Sequence, residues 1–287
     1  MSLGQRNVMS QAQKMMVFVL TMSIYGIATL FTELIPKFQV GIIEFSVEYF
    51  YFIPLTLGML LDPLSAALGA ATGELVFSEI MLGQFGGLGE LEKFITVTIG
   101  VYIAGRMVKN PANRILVGIA AMTGTAVQLA MGTVVDILKV QFAVEEFEAV
   151  AGLPESVFFT EGFAFFNDLL FSGILFCLLP TLYLVPRLYG KIEPLMGIRP
   201  RDKAGFPGGE SPLTVKGVVF CLIGFAAAIG SEFLAESGLG LVDWEADWAE
   251  STPTYIIGAI AAAIILFVVI TAIRRNYSHG SQDEDNA

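Results

Sequence analysis

The chain has 287 residues, of which 55% are hydrophobic and 15% charged, with a formal net charge of −11. A soluble protein of this size carries about a quarter charged residues. Its apolar runs, in contrast, reach the ~20 residues that a helix needs to cross a membrane. This composition excludes an ordinary soluble domain and predicts an all-α integral membrane protein, placed in the plasma membrane.

Eight apolar segments predict membrane-spanning helices. In chain order they are residues 15–36, 45–61, 64–82, 93–109, 114–138, 163–186, 214–236 and 254–273. The second and third are separated by Asp62-Pro63, a tight turn in which the proline opens the next helix. A stretch rich in glycine, proline and charged residues follows the sixth span, and this composition predicts a linker. The prediction is therefore a six-span core (1–191), a basic linker (192–213), a two-span addition (214–273) and an acidic tail (274–287).

The basic residues predict the orientation of these spans. Of the 16 Lys and Arg residues, only Lys37, Lys93 and Lys139 fall on one set of loops. The others fall on the opposite set, together with both termini and the linker. Cytoplasmic loops of membrane proteins are enriched in Lys and Arg. Both termini and the linker are therefore predicted to be cytoplasmic.

Small residues mark the helix faces on which close packing is expected. The third span contains the pair Gly69 and Gly73, and the first contains Ser23, Gly26 and Ala28. Helices in lipid associate by close packing, and small residues allow their backbones to approach. These five positions are the candidates for packing against a partner helix.

Polar residues inside the spans are the first candidates for a binding site. Gln128 and Asp136 lie on one face of the fifth span, Glu74 lies near the middle of the third, and Asp168 follows Asn167 in the sixth. Ionisable groups at membrane depth usually face a bundle interior or a wet cavity. We expect an acidic pocket that opens outward and has almost no basic residue at its level. The alternative is that the outer carboxylates only touch the interface.

Aromatic residues cluster at the same outer level. The two clusters are Phe45, Tyr49, Phe50, Tyr51 and Phe52, and Phe158, Phe159, Phe163, Phe165 and Phe166. Interfacial aromatic belts explain part of this pattern. Rings beside carboxylates also suit a flat or cationic organic ligand, so Tyr49 and Phe163 join the binding candidates. Trp244 and Trp248 predict a short amphipathic helix on the outer surface.

Several motifs are absent from the sequence. It contains no G-x-x-x-x-G-K-[ST] loop for phosphates, and its one histidine, His279, cannot form a histidine cluster for a metal. Basic stretches with interleaved aromatics, as in nucleic-acid binders, are also missing. Cys177 and Cys221 lie in apolar runs and are expected to be buried free thiols. We therefore expect no metal, no cofactor, no nucleic acid and no ATPase activity of its own.

Residues 60–80 (LLDPLSAALGAATGELVFSEI) resemble the substrate-binding S components of energy-coupling-factor (ECF) transporters. In that family a span follows a tight turn and reads roughly G-P-x-x-G-x-x-x-G-x-x-x-D. Pro63 and Ala67 take turn or small positions here, and Glu74 falls near the acidic one. Residues 165–191, with their late prolines and basic exit, resemble the family's last helix. The resemblance covers residues 15 to 191.

This resemblance implies a binding protein rather than an enzyme. It would capture a vitamin-like small molecule from outside among the outer halves of the six core spans, and a transmembrane coupling subunit with two ATPase subunits would drive uptake. The candidate binding residues are Glu74, Asp168, Asn167, Gln128, Asp136, Tyr49 and Phe163. The first span lacks the Ala-x-x-x-Ala motif with which S components dock, and two spans are additional.

Two other functions remain open from the sequence. The chain could be a self-sufficient secondary transporter of a cation or cationic solute that uses its intramembrane carboxylates. It could also be a membrane enzyme or an assembly scaffold whose acidic external loops recruit partners.

Overall fold

A computed structural model describes residues 9–35, 38–142, 145–147, 150, 152–201 and 214–239. All of them belong to the first of two compact units, Met1–Glu245. The predicted eighth span, the Trp244 and Trp248 helix and the acidic tail lie outside the described residues, as does the linker from 202 to 213.

The described residues form nine α-helices and one β-hairpin. These are α1 (Gln11–Glu33), β1 (Phe38–Val40), β2 (Ile43–Phe45), α2 (Phe52–Leu60), α3 (Pro63–Glu74), α4 (Glu90–Met107), α5 (Arg114–Gln141), α6 (Val157–Leu170), α7 (Leu179–Leu188), α8 (Ile192–Leu195) and α9 (Val215–Leu234). Three π-helical turns extend them: Leu75–Ile80 after α3, Gly173–Leu178 between α6 and α7, and Ala235–Leu239 after α9.

Four of these helical segments are long and apolar enough to cross a membrane. They are Gln11–Glu33, Arg114–Gln141, Val157–Leu188 and Val215–Ser237. The third consists of α6, its π-helical turn and α7 in one continuous rod. Large apolar side chains such as Val19 on α1 and Phe220 on α9 are exposed, as lipid-facing positions are. The described chain thus fits an all-α membrane protein.

The second predicted span is the one that differs most from the structure. A helix was expected from residue 45, but Phe45 lies in β2 and pairs with Phe38 across the hairpin. The α-helix α2 has only 9 residues. Gly41, with φ of +66°, supplies the left-handed turn conformation that a two-residue hairpin loop requires. Aromatic residues also favour strands, so the apolar run from residue 45 did not distinguish a helix from a β-strand.

Helix ends follow their sequence signals. Ser10 caps α1 with a capping box, in which the Gln13 N–H donates to Ser10 Oγ at 3.2 Å and the Ser10 N–H donates to Gln13 Oε1 at 2.9 Å. Asp62 caps α3 by accepting from the Ser65 N–H at 2.9 Å, and Pro63 takes the first turn as predicted.

Glycines allow α1 and α3 to pack with their backbones in contact. A Cβ at Gly69 would clash with the Phe18 carbonyl oxygen, and one at Gly73 with that of Met22. A Cβ at Gly26 would lie 2.8 Å from the Gly73 carbonyl oxygen. These three predicted packing residues are therefore used in a contact within the chain. Ser23 and Ala28, the other two, are half-buried.

The start of the predicted linker packs on the bundle. Residues 192–201 include α8 and three buried side chains, Glu193, Ile198 and Arg201. The packed part of the chain thus extends beyond the predicted boundary at residue 191, to Arg201. Proline and glycine correctly indicated turns in this stretch, but they did not distinguish a docked turn from a solvated linker.

Candidate ligand cavity

A cavity of ≈ 260 Å³ lies between the hairpin and α6. Its lining combines apolar residues with an amide, a hydroxyl and three carboxylates. The residues are Ile42, Glu44, Glu48, Val150, Leu153, Thr160, Phe163, Ala164, Asn167 and Asp168. Three of the predicted binding residues, Phe163, Asn167 and Asp168, therefore lie together.

The periodicity of α6 explains how its share of the lining is assembled. Thr160, Phe163, Ala164, Asn167 and Asp168 follow the spacing i, i+3, i+4, i+7 and i+8. This spacing places side chains on one face of an α-helix. The helix thus directs a stripe of mixed polarity at the hairpin.

Hydrogen bonds hold the hairpin and the segment after it against the α6 rod. Asn167 Nδ2 donates to the Glu44 carbonyl oxygen at 2.9 Å and to Asp168 Oδ1 at 3.4 Å. Ser172 Oγ donates to the Ser46 carbonyl oxygen at 3.1 Å, and the Glu48 N–H donates to Ser172 Oγ at 3.4 Å. The cavity walls are thus fixed by polar contacts rather than by apolar packing alone.

The lining chemistry suits a ligand with hydrogen-bond donors or a positive charge. Three carboxylates, Glu44, Glu48 and Asp168, face one cavity. Thr160 Oγ1 is buried without a hydrogen-bond partner among the described residues, and buried hydroxyls normally have one. The Phe163 ring adds a face that attracts cations. Glu44 and Glu48 were not singled out from the sequence, because the hairpin and the segment after it were not anticipated. Thr160 was not singled out, because it precedes the predicted sixth span (163–186) although it lies on α6.

The predicted residue Glu74 lies in a second place, on the α3 side. Tyr25 donates from its hydroxyl to Glu74 Oε2 at 3.4 Å. Lys93 Nζ lies 2.8 Å from Glu79 Oε1. A chamber of ≈ 10 Å³ adjoins both carboxylates, lined by Ala71, Glu74, Leu75, Glu79, Glu90, Lys93 and Phe94. This volume has room for about one water molecule and shares no lining residue with the larger cavity.

Asp136 lies in a third place, in an ionic cluster around Lys139. Lys139 Nζ lies 3.1 Å from Asp136 Oδ1, 3.0 Å from Glu145 Oε2 and 3.3 Å from Glu232 Oε1. With the pair of Lys93 and Glu79, this corrects the expectation that almost no basic residue would meet the carboxylates. The pair of Lys139 and Asp136 follows from their i, i+3 spacing on α5. The contacts with Glu79, Glu145 and Glu232 join different elements, which spacing alone does not predict.

Tyr49 is buried and Gln128 is half-buried, and neither lines the cavity or the chamber. The Tyr49 hydroxyl and Gln128 Oε1 are buried without hydrogen-bond partners among the described residues. The Tyr49 ring packs edge-on against Tyr51 at 5.6 Å, and Tyr51 packs against Tyr25 at 6.3 Å. The tyrosine row thus leads from Tyr49 to Tyr25, the hydrogen-bond donor to Glu74. In the sequence, Tyr51 was identified only as a member of an aromatic cluster, and Tyr25 was not identified as a candidate residue.

Among the remaining aromatic and thiol predictions, some agree with the structure and one does not. Phe158, Phe159 and Phe166 are about 60% exposed, which fits an interfacial or lipid-facing role. Cys177 is buried, as expected, and its Sγ lies 2.8 Å from Thr125 Oγ1. Cys221 is only half-buried, so the expectation of two buried thiols was wrong for it.

No group of three or more His, Cys, Asp or Glu side chains suited to a metal ion occurs among the residues that the structure describes. The lining of the cavity combines carboxylates with a ring, an amide and apolar side chains.

Comparison with known proteins places the chain in a family without assigning a function. No curated protein and no solved structure gives a significant match. Residues 16–282 match the model described as "Family of unknown function (DUF8171)". Because this match spans nearly the whole chain, the protein belongs to the DUF8171 family.

Proposed function

We propose that this protein is a membrane-embedded binding subunit that captures a small organic solute for uptake. The observation that carries the proposal is the cavity of ≈ 260 Å³ between the hairpin and α6. Its volume lies just below the ~300–1,000 Å³ typical of ligand pockets, which suits a molecule of vitamin size. Its polar groups sit on elements tied together by Asn167 and Ser172.

The proposed solute is a donor-rich or positively charged organic molecule. Glu44, Glu48 and Asp168 line one cavity, and carboxylates accept hydrogen bonds from donors and attract cations. Phe163 would then contact the organic part of the ligand. Binding requires neither a cofactor nor a catalytic group, so we propose a binding protein rather than an enzyme.

Identification of the bound molecule tests this function. The full chain is purified in mild detergent, and released small molecules are compared by mass spectrometry for the wild type, Asp168→Asn and the control Glu155→Gln. Glu155 is an exposed carboxylate before α6 that does not line the cavity. We expect an occupant in the wild type and in E155Q that is depleted in D168N. Equal retention in all three would refute the site, and absence of any occupant would refute the binding function.

The energy source is proposed from the resemblance to ECF S components. A transmembrane coupling subunit and ATPase subunits would supply it, since the sequence has no phosphate-binding loop. The test is affinity purification from the native membrane with and without solute. Recovery of an ATPase with the chain supports this part of the proposal. Uptake by the pure chain in liposomes would contradict it.

A self-sufficient, ion-coupled transporter is the second candidate. The chamber beside Glu74 and the Glu79–Lys93 pair favours it, because water-sized spaces with carboxylates are suited to proton or ion exchange. Solute uptake into proteoliposomes that collapses with a protonophore would select this candidate over the binding subunit.

The proposed topology has eight spans with both termini in the cytoplasm. The charge distribution over the loops carries it. In intact cells, single cysteines at Ser2 and His279 should react with a membrane-impermeant maleimide only after permeabilisation, whereas one at Glu155 should react at once. Labelling of either terminus from outside would overturn this topology.

A further inference from the structure

Arg201 is buried at the end of the bundle where α2 and α4 both terminate. Its side chain is 4% exposed, and its two terminal nitrogens donate four hydrogen bonds to backbone carbonyls. Nη1 reaches Gly105 O at 3.0 Å and Val108 O at 2.9 Å, and Nη2 reaches Gly58 O at 2.7 Å and Leu61 O at 3.0 Å. Terminal helix carbonyls lack backbone partners and carry negative dipole charge. One guanidinium thus caps two helices.

The charge of Arg201 persists in this environment. Burial lowers the pKa of its guanidinium to about 9, which is still above neutral pH. The fork of N–H donors reaches two helix ends at once, a geometry that a lysine ammonium does not reproduce. Arg201 therefore links α2 to α4 as a permanent cation.

The residues before Arg201 form one docked segment, which we name the latch (residues 190–201). It begins at Gly190 and contains Gly197, with φ of +78° and +65°, on either side of α8. Gln13 Nε2 donates to the Gly197 carbonyl oxygen at 2.6 Å, which ties the latch to α1. The Tyr189 hydroxyl donates to the Arg201 carbonyl oxygen.

One residue of the latch opposes docking. Glu193 is fully buried, and neither of its carboxylate oxygens has a hydrogen-bond partner among the described residues. The charge of Glu193 is attracted to that of Arg201 in the same segment. A buried carboxylate without hydrogen bonds recovers only part of its desolvation cost from such an attraction, and this favours the conformation in which water can reach it. An apolar side chain of the same size would fill the site without this cost.

We propose that the latch is a conformational switch, which Arg201 holds docked and Glu193 predisposes to open. Opening would remove the shared cap from the α2–α3 turn and the end of α4, so that these ends could separate. Gly190 supplies a flexible start for this movement, since it adopts left-handed backbone angles and has open space around its Cα. The switch is independent of which solute, if any, the cavity binds.

Hydrogen–deuterium exchange of the purified full chain tests the switch. The reporters are the amides of Met196, Gly197 and Ile198, which donate to carbonyls within the latch at 2.8–3.1 Å. In Arg201→Gln we expect them to exchange at least about tenfold faster, because hydrogen bonds from a charged donor are lost. In Glu193→Met we expect slower exchange than in the wild type. The control is Arg199→Gln, an exposed arginine of the same segment, with unchanged exchange.

Each result decides for or against the switch. The amides of α5 show whether R201Q remains folded. Gln13→Ala provides a milder variant that loosens only the contact with Gly197 and should also accelerate exchange. Unchanged latch exchange in both R201Q and Q13A would overturn the proposal. Faster exchange in E193M would overturn the role of Glu193, since it would make that residue a stabilising partner.

Discussion

Asn167 Nδ2 lies 2.9 Å from the backbone carbonyl oxygen of Glu44, a residue 123 positions away in sequence. The bond reaches from the last turn of α6 to strand β2 and does not depend on the Glu44 side chain. It therefore sets the distance between the two walls of the cavity, whatever the ligand contacts.

Asn167→Ala should weaken ligand binding by at least about tenfold, because the hairpin wall loses its tie to α6 and a partly buried carbonyl loses its donor. Binding is measured by calorimetry with the solute identified from the purified protein. Phe166→Ala, at an exposed neighbouring position, is the matched control and should bind normally. Equal affinities for the two variants would show that the tie does not organise the cavity.

Lys93 and Glu79 form an ion pair of unequal burial, with side chains 53% and 5% exposed. Loss of Lys93 leaves a buried carboxylate without its partner, whereas loss of Glu79 leaves a lysine that can turn to its surroundings. We expect Lys93→Met to lower the free energy of unfolding by about 1–3 kcal/mol and Glu79→Gln by less.

The double variant E79Q/K93M distinguishes the pair from two independent effects. It should be more stable than K93M alone, because it removes the unpaired carboxylate. Thermal unfolding in detergent, followed by tryptophan fluorescence, is the measurement. Strictly additive losses would contradict the asymmetry of the pair.

Helix positions could be read from the sequence wherever hydropathy and a cap agreed. Asp62-Pro63 marked the start of α3, and the apolar run from residue 114 became α5, which Asn113 caps. The run from residue 45 failed because its aromatic residues suit a strand as well as a helix. A hairpin depends on pairing with residues 38–40, which no local window contains.

Only part of the candidate site was predicted, because sequence spacing relates residues within one helix but not residues on different helices. Phe163, Asn167 and Asp168 share one helix, so their spacing alone brought them together. Glu74, Gln128 and Asp136 were grouped with them by inferred depth in the membrane, and depth does not specify which neighbours a side chain meets. Tyr25 meets Glu74 through the packing of α1 on α3. Lys139, in contrast, lies three residues after Asp136 on α5, so spacing alone could have paired these two.

Glycine packing between α1 and α3 predicts that two glycine-to-alanine substitutions will change the free energy of unfolding in opposite directions. Gly69→Ala places a methyl group against the Phe18 carbonyl oxygen, which belongs to rigid backbone. We expect a loss of about 1–3 kcal/mol in unfolding free energy, since the helices must separate. Gly162→Ala on α6 meets nothing within 4 Å and should gain about 0.5–1 kcal/mol from higher helix propensity.

Thermal unfolding of both variants in the same detergent gives the comparison. Similar midpoints for G69A and G162A would mean that the α1–α3 contact tolerates a wider spacing than the structure indicates.

Lys139 connects α9 to the rest of the bundle through Glu232, whose side chain is 16% exposed and lies 3.3 Å from Lys139 Nζ. Close packing on α4 adds to this connection, since a Cβ placed at Gly224 would lie 3.5 Å from Ile99 and 3.6 Å from Ile95. Lys139→Met should leave Glu232 buried beside Asp136 without its cation, which costs about 1–3 kcal/mol at the helix contact. Lys109→Met, at an exposed lysine before α5, is the control.

A protease site inserted between residues 202 and 213 separates α9 from the preceding helices and makes this contact measurable. After cleavage in mild detergent, the two fragments of the wild type and K109M should co-purify. Those of K139M should dissociate at least about tenfold more readily, since about 1.4 kcal/mol corresponds to a factor of ten. Raised salt should change this difference little, because the side chains of Lys139 and Glu232 are only 13% and 16% exposed and such pairs are weakly screened. Equal dissociation of K139M and K109M at low salt would show that apolar packing alone holds α9 in place.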